Sequence, residues 1–304
     1  MASLKIWLKA IRAPFFTATV IPVLLGSVLA WHDTGMFSWA MFFLIFLGAL
    51  FLHAGTNLAN DFFDNLSKND VVNKTPTPFS GGSRVIQENL IPAKHILFAA
   101  ILFFVLGSFI GLYLNAILPG NTFLIIGFIG LFLAFFYTAP PFKIGYTGLG
   151  ELAVGIGFGP IIVLASYFAQ AKTLSSNAFF ASIPVGILIA LVLFINEFPD
   201  YEADKKVRKN TLVVLFGKKM AVNFYLVFLV LAYVLVLIGI FSKIMPLYSG
   251  IVFLTLPLAF IASKTLTKNY NKINELLPAN KATIGLHLVF GILLVVGYVL
   301  DKVF

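Results

Sequence analysis

The chain has 304 residues, 60% of them hydrophobic and 11% charged, and a mean hydropathy of +0.99. Those proportions exclude an ordinary water-soluble domain, and the absence of cysteine excludes disulfides and thiolate metal ligands. A net charge of +9 would by itself suit nucleic acid, but the charges lie between apolar runs and fit a membrane surface instead. Nine apolar stretches of near-spanning length occur in order, at 13–31, 37–60, 94–115, 121–138, 149–170, 178–197, 220–241, 246–263 and 283–301. They predict an all-α polytopic protein: nine transmembrane helices in a bundle whose central cavity opens near the cytoplasmic face. The first stretch begins with Arg12 and Pro14 and lacks a cleavage site, so it is expected to be retained.

Connections at one end are short (32–36, 116–120, 171–177 and 241–246). Those at the other end, notably 61–93 and 198–219, are long and border polar helix ends, as expected of a working face. With the N-terminus placed in the cytoplasm, all but Lys172, Lys243 and Lys302 of the 21 Lys and Arg fall inside. This bias predicts a multi-pass protein of the inner or plasma membrane, N-terminus cytoplasmic and C-terminus outside. The lipid bilayer is its expected partner, and nucleic acid is not.

Two polar segments close the second and sixth stretches. Asn57-Leu-Ala-Asn60-Asp61-Phe-Phe-Asp64 is followed 139 positions later by Asn196-Glu-Phe-Pro-Asp200-Tyr-Glu-Ala-Asp204. On a helix, Asn57, Asp61 and Asp64 share an arc of roughly 60°, and Asn196, Asp200 and Asp204 one of about 80°. A lone pair of aspartates at a helix end is an ordinary cap; a recurring pattern in apolar surroundings is not, because each carboxylate there is costly. The recurrence predicts one site with two halves. It also fits an internal duplication of helices 1–4 and 5–8, with helix 9 added, inside a single domain covering 1–304. Pro199 is expected to loosen its helix near the end.

Sparse oxygen ligands suit Mg²⁺ carrying substrate phosphates and water. Asp61, Asp64, Asp200 and Asp204 are therefore the expected catalytic groups, holding Mg²⁺ through a diphosphate. Two such ions, four aspartates and a trianionic diphosphate sum to about −3, an excess for basic groups to offset. Arg12, Lys68, Lys74, Arg84, Lys143 and the Lys205–Lys209 cluster lie on the same face. Arg84 follows Gly81-Gly82, whose backbone N–H groups suit an anion, and Lys143 follows Pro140-Pro141, which singles these two out. Lys218 and Lys219 are expected only to anchor a helix. Gly155, Gly157 and Gly159 predict close helix packing, and His53 a packed polar residue.

Asn57-Leu-Ala-Asn-Asp61-Phe-Phe-Asp64 with Asp70 after it, and Asn196-Glu-Phe-Pro-Asp200-Tyr-Glu-Ala-Asp204 followed by Arg208-Lys-Asn-Thr-Leu, resemble the two aspartate-rich motifs of the UbiA superfamily of intramembrane prenyltransferases. Arg12-Ala-Pro-Phe, Pro22-Val-Leu-Leu-Gly26 and Tyr137-Thr-Ala-Pro-Pro141 fit as well, so the likeness runs from residue 9 to about 217. The resemblance implies Mg²⁺-dependent transfer of a polyisoprenyl group from its diphosphate to an aromatic acceptor. It implies substrate-binding roles for Asn57, Asn60, Asp70, Tyr137 and Asn196 beside Arg12, Arg84 and Lys143. The spacing to Asp70, with Lys68 where 4-hydroxybenzoate-type members often carry an aspartate, resembles the 1,4-dihydroxy-2-naphthoate branch of menaquinone biosynthesis. The alternatives are another acceptor (4-hydroxybenzoate, a glycerol-phosphate lipid, a haem or chlorophyll precursor) or, in another class, a cation-coupled transporter. Transporters place their charges near mid-membrane, whereas both clusters here end helices at one face.

Overall fold

The computed structural model describes residues 2–304. Its helices are α1 (Leu4–Ala10), α2 (Thr17–Thr34), α3 (Trp39–Leu66), α4 (Asn69–Val72), α5 (Ala93–Ile117), α6 (Thr122–Phe136), α7 (Gly150–Ile156), α8 (Ile162–Ala171), α9 (Ser176–Lys206), α10 (Leu212–Phe216), α11 (Lys218–Phe241), α12 (Leu256–Asn269) and α13 (Ile273–Val303). A π-helical turn over Gly157–Ile161 joins α7 to α8. It contains Pro160, whose missing N–H breaks the regular ladder.

Among the described residues, eight helical segments are long and apolar enough to cross a membrane, where the sequence predicts nine. The difference is α6. Its 15 residues rise about 22 Å, short of a hydrocarbon core of about 30 Å. It nonetheless returns the chain to the aspartate end, because Tyr146 beyond it donates to Asp64. The connection between the last two apolar stretches, 246–263 and 283–301, is also mostly helical: α12 runs to Asn269 and α13 begins at Ile273.

Local chemistry sets the helix ends. Ser38 and Ser175 cap α3 and α9 by accepting from the N–H groups of Met41 and Ala178. Gly35, at φ +73°, closes α2 in the left-handed conformation. The main core gathers α2, α8, α9, α11 and α13 around Ile21, Val163, Ile195, Phe198, Tyr225 and Phe290. By contrast, α5 turns Phe98 and Phe109 outward, the surface expected to meet lipid.

Helix α9 is central, and glycine lets its neighbours come close. A Cβ on Gly159 would lie 2.8 Å from the Gly186 Cα, and one on Gly155 3.2 Å from the Gly186 carbonyl oxygen. Gly157, expected to pack likewise, instead faces open space and lines a cavity. Nor does Pro199 loosen α9, which continues to Lys206. A proline leaves the carbonyl four residues earlier without its helical donor. That carbonyl, Ile195 O, accepts instead from Asn280 Nδ2 of α13 at 3.2 Å.

Candidate active site

The C-terminal ends of α3 and α9 carry the two motifs to one end of the bundle, and the segment from α4 to Arg84 bridges them. Asp61, Asp64, Asp70 and Asp204 are all buried, each no more than 3% exposed. Because buried carboxylates must be paired, their partners define the site.

On α3, Asp61 binds Arg12 and the Ser83 hydroxyl, and accepts from Ser83 N at 3.2 Å. Arg12 also donates to Asn60 Oδ1 at 2.8 Å. Asp64 accepts from Tyr146 OH (2.6 Å), Lys209 Nζ (3.1 Å) and Asn60 Nδ2 (3.2 Å). Asn57 donates to the Ile11 carbonyl at 2.9 Å, tying the Arg12 turn to α3.

On α9, Asp200 accepts from Asn73 Nδ2 (2.8 Å) and Gly81 N (3.0 Å), and Asp204 accepts from Asn69 Nδ2 (2.8 Å). Asn196 accepts from Asn280 at 2.8 Å. The Gly81-Gly82 turn thus meets carboxylates, not an open anion hole. Both glycines have positive φ, and a Cβ on Gly82 would lie 2.5 Å from Asp70 Oδ2. Asp70 Oδ2 is buried with no hydrogen-bond partner.

The electrostatics follow from this crowding. Burial, then Asp64 and Asp61, push the Asp70 carboxyl up to about 8. Burial alone would lower Lys209, but Asp64 and then Asp204 hold it well above the usual lysine range. With Asp70 pushed toward its neutral form, the other four aspartates face, among the described residues, Arg12 and Lys209 as directly paired cations, leaving two formal negative charges uncompensated. Among the described residues no three His, Asp or Glu converge as a metal-ligating group.

The other expected residues are nearby but less direct. Arg84 donates to the backbone carbonyl of Asp70. Lys143 stands 5.5 Å over the Tyr146 ring, with Lys209 also over that ring at 5.3 Å. Lys68 and Lys74 are exposed. Lys218, expected to be a bare anchor, lies 5.1 Å over the Tyr201 ring, which Lys205 also approaches. Glu151 and Glu197 are a buried pair that sequence reasoning passed over. Glu151 Oε1 accepts from Leu212 N at 2.9 Å, fastening the segment that carries Lys209, and each glutamate keeps one oxygen without a partner.

Directly beneath the motifs lies a cavity of about 520 Å³. Asn57 and Asn196, one from each motif, stand in its wall with Tyr137, His53, Thr56 and Ser108, and the remainder is apolar, with Phe15 and Phe158 contributing rings. His53 is packed, as expected: its Nδ1 lies 2.8 Å from Thr19 Oγ1 and its ring is between Phe16 and Phe158. Exposed Leu112 and Phe128 line the side of the same cavity, at α5 and α6.

The sequence pattern of the UbiA prenyltransferase family matches residues 19–299. A 1,4-dihydroxy-2-naphthoate octaprenyltransferase of Bacillus subtilis is 31% identical over 95% of this chain and 91% of its own length. A 2-carboxy-1,4-naphthoquinone phytyltransferase of Synechocystis is 29% identical over 98% and 94%. Among solved structures, a UbiA homologue from Aeropyrum pernix superposes with a TM-score of 0.67 at 16% identity, covering 94% of this chain and 97% of that one. One from Archaeoglobus fulgidus, bound to DMAPP and Mg²⁺, gives 0.65 at 18% identity, covering 95% and 99%. With the family pattern running through both aspartate motifs and almost the whole bundle, the chain belongs to the UbiA prenyltransferase family and is an integral membrane prenyltransferase.

Proposed function

We propose that the protein transfers a polyisoprenyl group from its diphosphate to an aromatic acceptor of the 1,4-dihydroxy-2-naphthoate type. One observation carries this: an apolar cavity has an asparagine from each aspartate motif in its wall. A prenyl chain fits the apolar chamber while its diphosphate reaches the aspartates. The acceptor class is supported by the naphthoate enzymes of B. subtilis and Synechocystis, which align over nearly the whole chain.

The residues fit a Mg²⁺-bound diphosphate. Their surplus negative charge and the orphaned Asp70 oxygen call for divalent cations. No group of three carboxylates converges among the described residues, so diphosphate and water must complete any ion's shell. Asp61, Asp64, Asp200 and Asp204 would hold Mg²⁺, with Asp70, Asn57, Asn60 and Asn196 around the diphosphate. Bound Mg²⁺ supplies neutralisation of the departing diphosphate.

Arg12 and Lys209 add positive charge where the leaving oxygen becomes negative as the C1–O bond breaks. Arg84 and Lys143 stand further back. The apolar wall keeps water from the allylic cation, and Phe15, Phe158 and Tyr137 offer π faces to it. The electron-rich acceptor ring then forms the new C–C bond to C1, and aromaticity returns as the attacked ring carbon sheds its former substituent, a proton passing to the departed diphosphate or a carboxyl group leaving as carbon dioxide. Purified protein assayed with prenyl diphosphates and a panel of aromatic acceptors, with and without Mg²⁺, tests this. Prenylated dihydroxynaphthoate should form only with Mg²⁺; preference for 4-hydroxybenzoate would overturn the acceptor assignment.

The aspartate end faces the cytoplasm, on the strength of the positive-charge bias. The native chain has no cysteine, so Lys74→Cys, at an exposed position, gives a clean label. An impermeant thiol reagent outside intact cells should leave it unmodified, and modification would reverse the orientation.

A further inference from the structure

At the end of the bundle opposite the aspartates lies a second cavity of about 400 Å³, between the ends of α2, α11 and α13. Its polar wall consists of His32, Asp33, Asn177, Lys243, Tyr298 and Asp301. His32 bridges two carboxylates, with Nδ1 3.0 Å from Asp33 and Nε2 3.0 Å from Asp301. Tyr167 OH donates to the other Asp33 oxygen at 2.8 Å, and Lys302 Nζ donates to the His32 carbonyl at 2.8 Å.

A cluster of helix-end charges often does no more than clamp helices together. Here a second observation points to a ligand. Tyr298 is only 2% exposed, and its hydroxyl has no hydrogen-bond partner although it belongs to the cavity wall. A buried hydroxyl is normally satisfied. The carboxylates, by contrast, remain about one-third exposed and open to an incoming group.

The charges select the ligand. Asp33 and Asp301 share His32 but stay partly exposed, and Lys243 stands in the same wall, so the lining presents both signs and suits a group that leads with a cation and carries an anion behind it. Lys243 leaves room for one phosphate beside that cation. The rest of the wall is apolar, with Leu29, Ile240, Ile244 and Leu247, the last 77% exposed. An occupant with a zwitterionic head and an apolar body matches all of this at the edge of a bilayer.

We propose that this cavity binds the headgroup of an aminophospholipid of the phosphatidylethanolamine class, with its primary ammonium on Asp33 and Asp301 and its phosphate on Lys243. A primary ammonium supplies N–H donors to both carboxylates, which a quaternary choline headgroup lacks. The site does not depend on the prenyl-transfer reaction.

Native mass spectrometry of the purified full chain, titrated with dioleoyl-phosphatidylethanolamine, -phosphatidylcholine and -phosphatidylglycerol, tests the proposal. The ethanolamine lipid should be retained about tenfold more strongly than the other two, the scale of one charge-assisted hydrogen bond. Asp301→Asn should bring it down to the phosphatidylcholine level, whereas Lys243→Gln, which removes the phosphate contact common to the three lipids, should weaken retention of all of them about tenfold. Lys243 is exposed, so its replacement leaves a folded protein even where Asp301→Asn does not. Equal retention of the three lipids, a preference that survives Asp301→Asn, or retention unchanged by Lys243→Gln would leave only a helix clamp and overturn the proposal. Soluble glycerophosphoethanolamine displacing the lipid at equal concentration would refute a lipid site as well.

Discussion

The two aspartate motifs match in sequence and differ in what satisfies them. On α3, Asp61 and Asp64 are held by cations and hydroxyls: Arg12, Lys209, Ser83 and Tyr146. On α9, the nearest hydrogen bonds to Asp200 and Asp204 come from neutral amides, those of Asn73, Asn69 and the Gly81 backbone, with Lys209 only at 3.9 Å from Asp204. A carboxylate paired with a cation is already neutralised. Asp200 has no paired cation and Asp204 has Lys209 only at 3.9 Å, so in the proposed reaction the α9 half is the more open to a divalent cation and the α3 half supplies the cations for a departing diphosphate.

The largest effect that bears on this comparison is loss of either charge. Asp61→Asn and Asp200→Asn should each lower turnover by about 1,000-fold. In the proposed division of labour, only Asp200→Asn should also raise the Mg²⁺ concentration for half-maximal rate. An identical Mg²⁺ dependence in both variants would make the two halves equivalent.

A graded series of cations sharpens it further. Lys209→Met should cost about 3 kcal/mol in kcat/KM for the prenyl diphosphate, and Arg84→Ala and Lys143→Ala about 1.5 kcal/mol each. Lys218→Ala with Lys219→Ala should stay within about 0.5 kcal/mol. If the four single and double variants fell together, proximity to Asp64 would not be what ranks them.

The smallest expected effect concerns what supports the α9 half. Asn280→Leu removes the donor to Ile195 O and Asn196 while keeping the bulk, and should lower stability by about 1–2 kcal/mol. Thermal unfolding in detergent checks this. An unchanged melting temperature would mean that the α9 motif keeps its register without α13.

The aspartates, Asn57, Asn196 and Arg12 were legible in the sequence because polar residues at helical spacing inside apolar runs are too costly to stand there without a ligand or a partner. The all-helical bundle was legible from hydropathy, which marks each apolar run directly. Lys209 lay inside a basic cluster but could not be ranked above its neighbours, because its partner Asp64 is 145 positions away. Tyr146 and Asn280 gave no local signal: one looked like a loop aromatic, the other a helix polar residue, and each acquires its role from a contact more than 80 positions distant. The α6 length was misjudged because the apolar run continues into Tyr137 and beyond while the hydrogen-bonded helix stops at Phe136. Composition measures the run, not the ladder.

The Asn280 bond also imposes an order on biosynthesis. A chain emerging from its N-terminus completes both aspartate motifs, and the proline that strips Ile195 of its donor, well before α13 is made. Until Asn280 arrives, a main-chain oxygen in the most buried helix of the bundle lacks its fixed partner, and in a bilayer such an omission is costly. The last helix therefore does more than close the bundle. It completes the main-chain bonding of the helix that carries the second aspartate motif, which gains its last partner when the final membrane segment docks.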